Sequence, residues 1–280
     1  MYGKSHHGAA DGLQIPLAAA RKEKKGAGSG RGSCGNGSSN YGSWAGTYGN
    51  IGREGRTPGR DPAAAPFFKK DIEKLCHVLE SRVKAAGVEV VLDTEVTADY
   101  IKVMAPDALF VAIGSNELKP PIKGMDGSNV IMAVEAELHP EKLGKKIAIM
   151  GGGLVGAEAA ISFAHEGRQC SIIEMKQEVA LEVNSFYRGG LMPQVEKAAD
   201  IYVNTKVKEI VPEGVVCETD GTVFTVEADS VVCALGFRAP YDKVDALCAL
   251  VDEYYIVGDC SQVGMIYHAI NQAYYAALRV

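Results

Sequence analysis

The sequence predicts an α/β fold built on parallel strands joined by helices, and three observations predict it. A short apolar strand, residues 147–150, runs directly into a glycine-rich turn at 151–156. An alanine-rich helical pattern follows the turn, and a second apolar strand at 170–173 ends in Glu174. Strand, glycine turn, helix, strand and acid, in this order, are typical of a Rossmann-like, dinucleotide-binding βαβ unit.

The glycine turn supplies candidate residues for a nicotinamide dinucleotide site. Gly151 permits the tight turn, Gly153 lets the backbone approach a pyrophosphate, and Gly156 lets the helix pack closely on the strand. Glu174 lies eighteen residues after Gly156 and can accept hydrogen bonds from both ribose hydroxyls, whereas it would repel a 2′-phosphate. This favours NAD(H), although the neighbouring Lys176 keeps NADP(H) open. The predicted contacts are Gly151, Gly153, Leu154, Val155, Gly156 and Glu174, and a purely structural tight turn is the alternative.

Composition excludes several classes of function. A chain of 280 residues with 47% hydrophobic content can bury one or two cores, and its net charge of −6 gives no attraction to nucleic acid or to an anionic membrane. No apolar run is long enough for a membrane span and no signal peptide begins the chain, so a cytoplasmic protein is expected. The seven cysteines form no CxxC pair, and we predict no metal ligands and mostly buried thiols.

The other elements can be placed in chain order from their apolar periodicity and glycine stops. Two of the later strands repeat one pattern, an apolar run that ends in glycine, at Gly114 and Gly236, and a third ends in Gly258 and Asp259. The predicted elements are a helix at 69–86, strands at 88–92 and 107–114, a helical stretch at 191–199, a β-meander at 206–211, 214–218 and 223–228, strands at 231–236 and 255–259, and a closing helix at 266–277.

Over roughly residues 62–280, these pieces resemble the two-dinucleotide flavoprotein reductases. They are most similar to the C-terminal half of the NADH:flavin oxidoreductase family, which includes 2,4-dienoyl-CoA reductase, enoate reductases and trimethylamine dehydrogenase. The resemblance implies two Rossmann-like domains, with the NAD domain inserted into the FAD domain. It also implies that the chain leaves the FAD domain at Gly114 and returns at Gly236. Gly258 and Asp259 match the family's FAD motif, in which the Asp accepts a hydrogen bond from the ribityl chain; an ordinary N-cap or surface acid is the alternative.

The predicted domain organisation follows from that resemblance. Residues 1–25 form an N-terminal remnant, 62–118 part of the FAD domain, 119–232 the NAD(P) domain and 233–280 the return to the FAD domain. Relatives carry an FMN-binding barrel and a 4Fe-4S cluster before the FAD domain, and residues 1–25 are too short for either. FMN and the cluster are therefore expected only in the full-length family.

Residues 26–61 depart from the family pattern. The FAD domain should begin here with its own strand, glycine turn and helix, but residues 26–60 contain twelve glycines and one Ile, without Val, Leu, Met or Phe. Such a stretch is not expected to form a buried strand or helix. A flexible linker, an Arg/Gly nucleic-acid tail and a reading-frame error are the three interpretations, and the acidic chain argues against the second.

The codons favour the reading-frame error. Because glycine is encoded by GGN, a frame moved one base forward turns it into Val, Ala, Asp, Glu or Gly. With allowed synonymous codons, residues 26–41 can then read VLVVGGGPAGMEAAIT, and residues 49–60 can read VTLAEKDGRLGG. We therefore hypothesise an out-of-frame FAD fingerprint. The chain as written would lack the first two FAD-domain strands and the helix between them, leave a parallel sheet with an unpaired edge, and bind FAD poorly or not at all.

The predicted function is that of an NAD(P)H-dependent flavoprotein oxidoreductase that passes hydride from NADH to FAD and on to a further acceptor. The cofactors carry this chemistry, so no catalytic side chain is predicted; Glu158 could lie near the nicotinamide or could be a solvated carboxylate at the helix start. The ligands are a nicotinamide dinucleotide and flavin, without nucleic acid or membrane, and a homo-oligomer is left open. A stand-alone reductase of ferredoxin-reductase type and a truncated, non-enzymatic NAD-binding remnant are the alternatives.

Overall fold

The computed structural model describes residues 17–21, 48–52, 70–91 and 94–280. Fifteen strands lie within these residues: β1 (Leu17–Arg21), β2 (Tyr48–Gly52), β3 (Glu89–Val91), β4 (Ala108–Val111), β5 (Asn116–Glu117), β6 (Val130–Met132), β7 (Lys146–Met150), β8 (Gln169–Ile173), β9 (Ala199–Tyr202), β10 (Lys206–Val211), β11 (Gly214–Thr219), β12 (Thr222–Glu227), β13 (Ser230–Cys233), β14 (Phe237–Arg238) and β15 (Tyr254–Ile256). The α-helices of the described residues are α1 (Lys70–Ala85), α2 (Ala98–Met104), α3 (Ala133–Leu138), α4 (Leu154–His165), α5 (Ser185–Ala198), α6 (Tyr241–Cys248) and α7 (Ile266–Ala277), and short 3₁₀ turns lie at Pro140–Lys142 and Gly258–Cys260.

The chain divides into two compact units. We call the first the inserted unit; it is built around Asn116–Phe237. The second, the flanking unit, is built around Asp71–Ser115 and Arg238–Val280, together with β1 and β2. The inserted unit therefore interrupts the flanking unit along the chain, which is the organisation that the sequence predicts. The assignment of each unit to one cofactor stays a prediction.

The inserted unit is centred on a five-stranded sheet in the order β6-β13-β7-β8-β9, with every pair parallel. Alternate side chains of its strands face opposite sides, so each strand must be apolar on both faces. Ile147 and Ile149 of β7 join a core with α4, while Ala148 and Met150 join a second core with the antiparallel meander β10-β11-β12. The predicted βαβ unit and meander are both confirmed.

The flanking unit has a mixed five-stranded sheet in the order β15-β4-β1-β2-β3. β15 runs parallel to β4 and β2 runs parallel to β3, whereas β1 is antiparallel to both of its neighbours. On one side of β4, Leu109 and Val111 pack with Ile101 of α2 and with Val244 and Leu247 of α6. The α/β fold class is therefore observed in both units.

One prediction about the glycine-rich segment was wrong. An unpaired sheet edge was expected, but β1 and β2 occupy the sheet between β4 and β3. The reason is that a strand ladder uses backbone N–H and C=O groups, which every non-proline residue provides whatever its side chain. Tyr48–Gly52 forms strand β2, and the expectation that residues 26–60 form no buried strand stays a prediction. β1 nevertheless runs antiparallel to β4, unlike the parallel first strand of a dinucleotide fingerprint. The rest of the proposed frame-shifted segment lies outside the described residues.

Two structural features are absent from the described part of the chain. It contains no helix that is both long and apolar enough to cross a membrane. It also contains no group of three or more His, Cys, Asp or Glu side chains that could hold a metal ion.

Candidate dinucleotide site

The glycine turn follows β7 and leads into α4, and its backbone approaches its neighbours too closely for a side chain at two positions. Gly151 has φ +102°, and a Cβ there would lie 2.4 Å from the carbonyl oxygen of Ala234. A Cβ on Gly156 would lie 2.0 Å from the carbonyl oxygen of Gly151. Both glycines are therefore required by the fold of the turn itself, as the sequence predicts.

Gly153 differs from these two glycines. It is the N-cap of α4 with φ −68°, a conformation that any residue can adopt, and a Cβ there would meet Glu182 Oε1 at 3.0 Å, the end of a flexible side chain. The protein fold alone therefore does not demand glycine at this position. A ligand that approaches the backbone would demand it, which is the role that the sequence predicts.

Glu174 lies at the carboxyl end of β8, where its side chain is only 7% exposed. Its Oε2 accepts a hydrogen bond from the Gly152 N–H at 2.7 Å, and its Oε1 accepts one from the Lys176 N–H at 2.8 Å. Each carboxylate oxygen keeps a further lone pair for a ribose hydroxyl. The structure thus brings the predicted acid against the predicted glycine turn and fixes its orientation.

The first turn of α4 presents backbone N–H groups that have no partner within the helix. Leu154 and Val155, two further predicted contacts, are half-buried at this end. The Leu154 N–H donates to Glu182 Oε1 at 2.6 Å. Glu182 was not predicted, because it lies 28 residues away from Leu154 along the chain and belongs to no motif.

Glu158 lies one turn further along α4 and is buried, at 6% exposure. Its Oε1 accepts a hydrogen bond from the Tyr187 hydroxyl at 2.9 Å. Burial, followed by the hydrogen bond and the negative charge of Glu158, raises the pKa of Tyr187 to about 12, so the phenol stays protonated and remains a donor at neutral pH. The interpretation of Glu158 as a solvated carboxylate is therefore wrong. The proximity of Glu158 to a nicotinamide stays a prediction.

In the flanking unit, the structure brings Gly114 and Asp259 to neighbouring strand ends. Gly114 follows β4 with φ +71°, and the next residue, Ser115, donates from its hydroxyl to Asp259 Oδ2 at 3.3 Å. Asp259 Oδ1 accepts from the Gly264 N–H at 3.1 Å, just before α7. Asp259 is 8% exposed, so it is not the ordinary surface acid that the sequence left open. Its role toward FAD stays a prediction.

The two remaining predicted site glycines, Gly258 and Gly236, lie in different units. Gly258 has φ +72°, and its N–H donates to Gln272 Oε1 at 2.7 Å, which ties the turn at the end of β15 to α7. Gly236 lies in the inserted unit with φ +101°, and its carbonyl accepts from the Leu118 N–H at 2.8 Å. The structure therefore groups the predicted residues into one cluster around the α4 turn and another around Asp259, with Gly236 at the end of the inserted unit.

The donor sets fit the two expected cofactors to different extents. The cradle at Gly153, the N-terminus of α4 and the acid at β8 together match a nicotinamide dinucleotide. For FAD, the described residues provide Asp259 and the strand ends beside it. The expected pyrophosphate cradle of FAD falls in residues 26–60, most of which lie outside the described residues.

Residues 53–273 match the family model described as pyridine nucleotide-disulphide oxidoreductase. The chain belongs to this family. Membership confirms the predicted resemblance to the two-dinucleotide flavoprotein reductases, a family that uses FAD and NAD(H).

Individual relatives support the same family. Bilirubin reductase of Mediterraneibacter gnavus is 31% identical over 217 residues, which are 77% of this chain and 34% of that protein. Cinnamate reductase of Clostridium sporogenes is 28% identical over 224 residues, which are 78% of this chain and 33% of that protein. The chain thus spans about a third of the length of these relatives, so the activity of a whole protein is taken up below as a proposal.

Solved structures agree with the sequence comparison. The structure of 2-naphthoyl-CoA reductase in complex with 2-naphthoyl-CoA is 27% identical, covers 82% of this chain and 36% of its own, and has a TM-score of 0.77. A ferredoxin reductase from Rhodopseudomonas palustris is 16% identical with a TM-score of 0.63, and covers 82% of this chain and 69% of its own. At that identity, the second similarity shows the shared fold alone.

Proposed function

We propose that this chain is the electron-input region of a larger NADH-dependent flavoprotein reductase. The observation that carries the proposal is the α4 turn, where a glycine that the fold does not require lies at the N-terminus of α4, beside a buried, oriented Glu174. In this arrangement the backbone of Gly153 and Leu154 binds the pyrophosphate, and Glu174 accepts from the adenosine ribose and disfavours a 2′-phosphate.

The chain's own residues bind and orient, and the redox chemistry belongs to the cofactors. FAD, when bound, supplies the acceptor for the hydride of NADH. Ser115 and Gly264 hold the carboxylate of Asp259, and we assign to it the hydrogen bond from the flavin's ribityl chain. Glu158 of α4 is held in place by the hydroxyl of Tyr187.

For the final acceptor we propose a conjugated, unsaturated compound reduced elsewhere in the larger protein. The support comes from the relatives named bilirubin, cinnamate and 2-naphthoyl-CoA reductase, since all three compounds are conjugated. The enoate or dienoyl reductase type predicted from the sequence belongs to this proposal.

Gly153→Ala tests the dinucleotide site with little risk to the fold. The extra methyl group meets only a flexible side chain in the protein, whereas it would collide with a bound pyrophosphate. We expect the Kd for NADH, measured by fluorescence titration of the full chain, to rise about tenfold or more, with a stability loss of at most about 1 kcal/mol from the poorer N-cap.

The matched control is Gly189→Ala, on the exposed face of α5, where a Cβ meets no atom within 4 Å. It should leave the Kd unchanged. Equal affinity of wild type and Gly153→Ala would refute the assigned site. A chain that binds NADH at this site but reduces no electron acceptor, even with FAD added, would instead favour the non-enzymatic remnant.

A further inference from the structure

A carboxylate of the protein lies where the proposed pyrophosphate contact would be. Glu182 Oε1 accepts the Leu154 N–H at 2.6 Å, and the same oxygen is 3.0 Å from the position of a Cβ on Gly153. Both residues belong to the proposed pyrophosphate cradle. In the structure, the positive end of the α4 dipole is therefore already occupied by an anion from the same chain.

The backbone that carries Glu182 is anchored. Val179 and Val183 are buried in the core of the inserted unit, and the Ala180 N–H donates to the Gly152 carbonyl at 2.7 Å. The side chain of Glu182 is exposed. Glu182 can therefore leave the turn by a rotamer change into solvent, without movement of the segment around it.

Glu182 and a bound pyrophosphate cannot share this position. One N–H forms a full-strength hydrogen bond with one acceptor at a time, and two anions within about 3–4 Å of each other repel. We propose that Glu182 is an internal competitor of the dinucleotide: it occupies the pyrophosphate position of the free site, and NADH must displace it. This inference rests on the proposed function, since it concerns the regulation of that same site.

Two substitutions separate the charge from the hydrogen bond. Glu182→Gln removes the charge but keeps an oxygen that can accept from Leu154, whereas Glu182→Ala removes both. We expect the Kd for NADH to fall about threefold in Glu182→Gln and about tenfold in Glu182→Ala, because each variant lowers the cost of displacement. ADP-ribose should show the same gains, since it carries the pyrophosphate without the nicotinamide.

The experiment is a fluorescence titration of the full chain with NADH, with ADP-ribose followed by competition. Asp220→Asn is the matched control: it removes one negative charge from the turn between β11 and β12, at a residue with positive φ (+50°) that asparagine tolerates. It should leave the Kd unchanged. If Glu182→Ala does not fold, Glu182→Gln decides the test.

The outcomes distinguish this inference from the proposed function. If the wild type and both Glu182 variants bind NADH with the same Kd, Glu182 is not a competitor. The assignment of the dinucleotide site is then unaffected. Weaker binding in the variants also overturns it, because Glu182 would then be a ligand contact. If wild type and both variants bind neither NADH nor ADP-ribose, the proposed function and this inference fail together.

Discussion

At the residue scale, the glycines of the α4 turn serve different purposes. Gly156 lies inside a helix, where alanine would ordinarily be favoured by about 1 kcal/mol. Here the added methyl group would lie 2.0 Å from the Gly151 carbonyl oxygen, so β7 and α4 would have to separate. The close packing of strand and helix therefore outweighs helix propensity.

Gly156→Ala should consequently lower the free energy of unfolding by about 1–3 kcal/mol, the usual cost of overpacking. Urea denaturation followed by circular dichroism measures this. Gly189→Ala should move stability the other way, by about 0.5–1 kcal/mol, because that helical position is open to solvent. A neutral or stabilising Gly156→Ala would contradict the geometry of the turn.

The cysteines give a second prediction at this scale. Burial raises the pKa of the Cys170 thiol to about 12 and that of Cys217 to about 11. Because a raised pKa leaves almost no thiolate at pH 8, both should resist iodoacetamide in the folded protein, and their labelling should increase only as the pH approaches these values. Among the cysteines of the described residues, Cys76 is partly exposed and should be labelled first. Peptide mass spectrometry after native alkylation would show the order.

The sequence could predict the site residues that belong to a local motif, but not their long-range partners. Gly151, Gly156 and Glu174 follow from spacing within one βαβ unit. Glu182 and Tyr187 form hydrogen bonds with Leu154 and Glu158 of α4, which precede them by 28 and 29 positions in the chain. No periodicity of the sequence marks these two partners. His268 accepts from the Met265 N–H at 3.1 Å and caps the start of α7.

At the scale of elements, α2 shows how a short helix is delimited. Thr97 caps its start by accepting from the Tyr100 N–H at 3.3 Å. Ala105 ends it with φ 42°, in the left-handed region that favours glycine. The left-handed backbone conformation of Ala105 is strained for an alanine.

Ala105→Gly should therefore stabilise the flanking unit by about 0.5–1 kcal/mol, since it removes the strain at the C-cap. Thr97→Ala should destabilise it by about 0.5–2 kcal/mol through the loss of the N-cap hydrogen bond. Thermal unfolding of the two single variants should give shifts of opposite sign. Shifts of the same sign would show that the caps do not control this helix.

Long helices with clear periodicity were predictable, whereas short helices were not. The predicted helix at 69–86 is α1, and the predicted closing helix is α7. α5 begins at Ser185, six residues before the prediction, because Asn184 accepts from the Tyr187 N–H and caps the helix upstream of the apolar residues that signalled it. α2, α3 and α6 were missed; each has at most eight residues, too few for a helical period to repeat clearly.

At the scale of the whole molecule, the sheet of the flanking unit is completed by strands that carry no dinucleotide motif. β1 has the sequence LAAAR and β2 the sequence YGNIG. They provide backbone hydrogen bonds to β4 and β3 but lack the glycine turn and acid that bind a flavin pyrophosphate and ribose. Sheet pairing is therefore less demanding of sequence than cofactor binding is.

We accordingly expect the chain as written to purify with little or no FAD, and a chain carrying the alternative reading frame over residues 26–60 to bind it stoichiometrically. Absorbance near 450 nm measures the flavin, and resequencing the DNA over codons 20–65 tests the frame directly. Stoichiometric FAD on the chain as written would contradict the frame-shift hypothesis. NADH binding should be similar in the two chains, since the inserted unit is unaltered.

Glu174 also constrains how this protein could be re-engineered. The side chain that would choose between the two nicotinamide cofactors is the acceptor for the Gly152 N–H. Changing it to a small apolar residue to admit NADPH would leave that buried amide without its partner, at a cost of about 1–3 kcal/mol. Cofactor preference and the rigidity of the turn therefore depend on the same side chain. A variant that switches the cofactor to NADPH must keep an oxygen atom at this position.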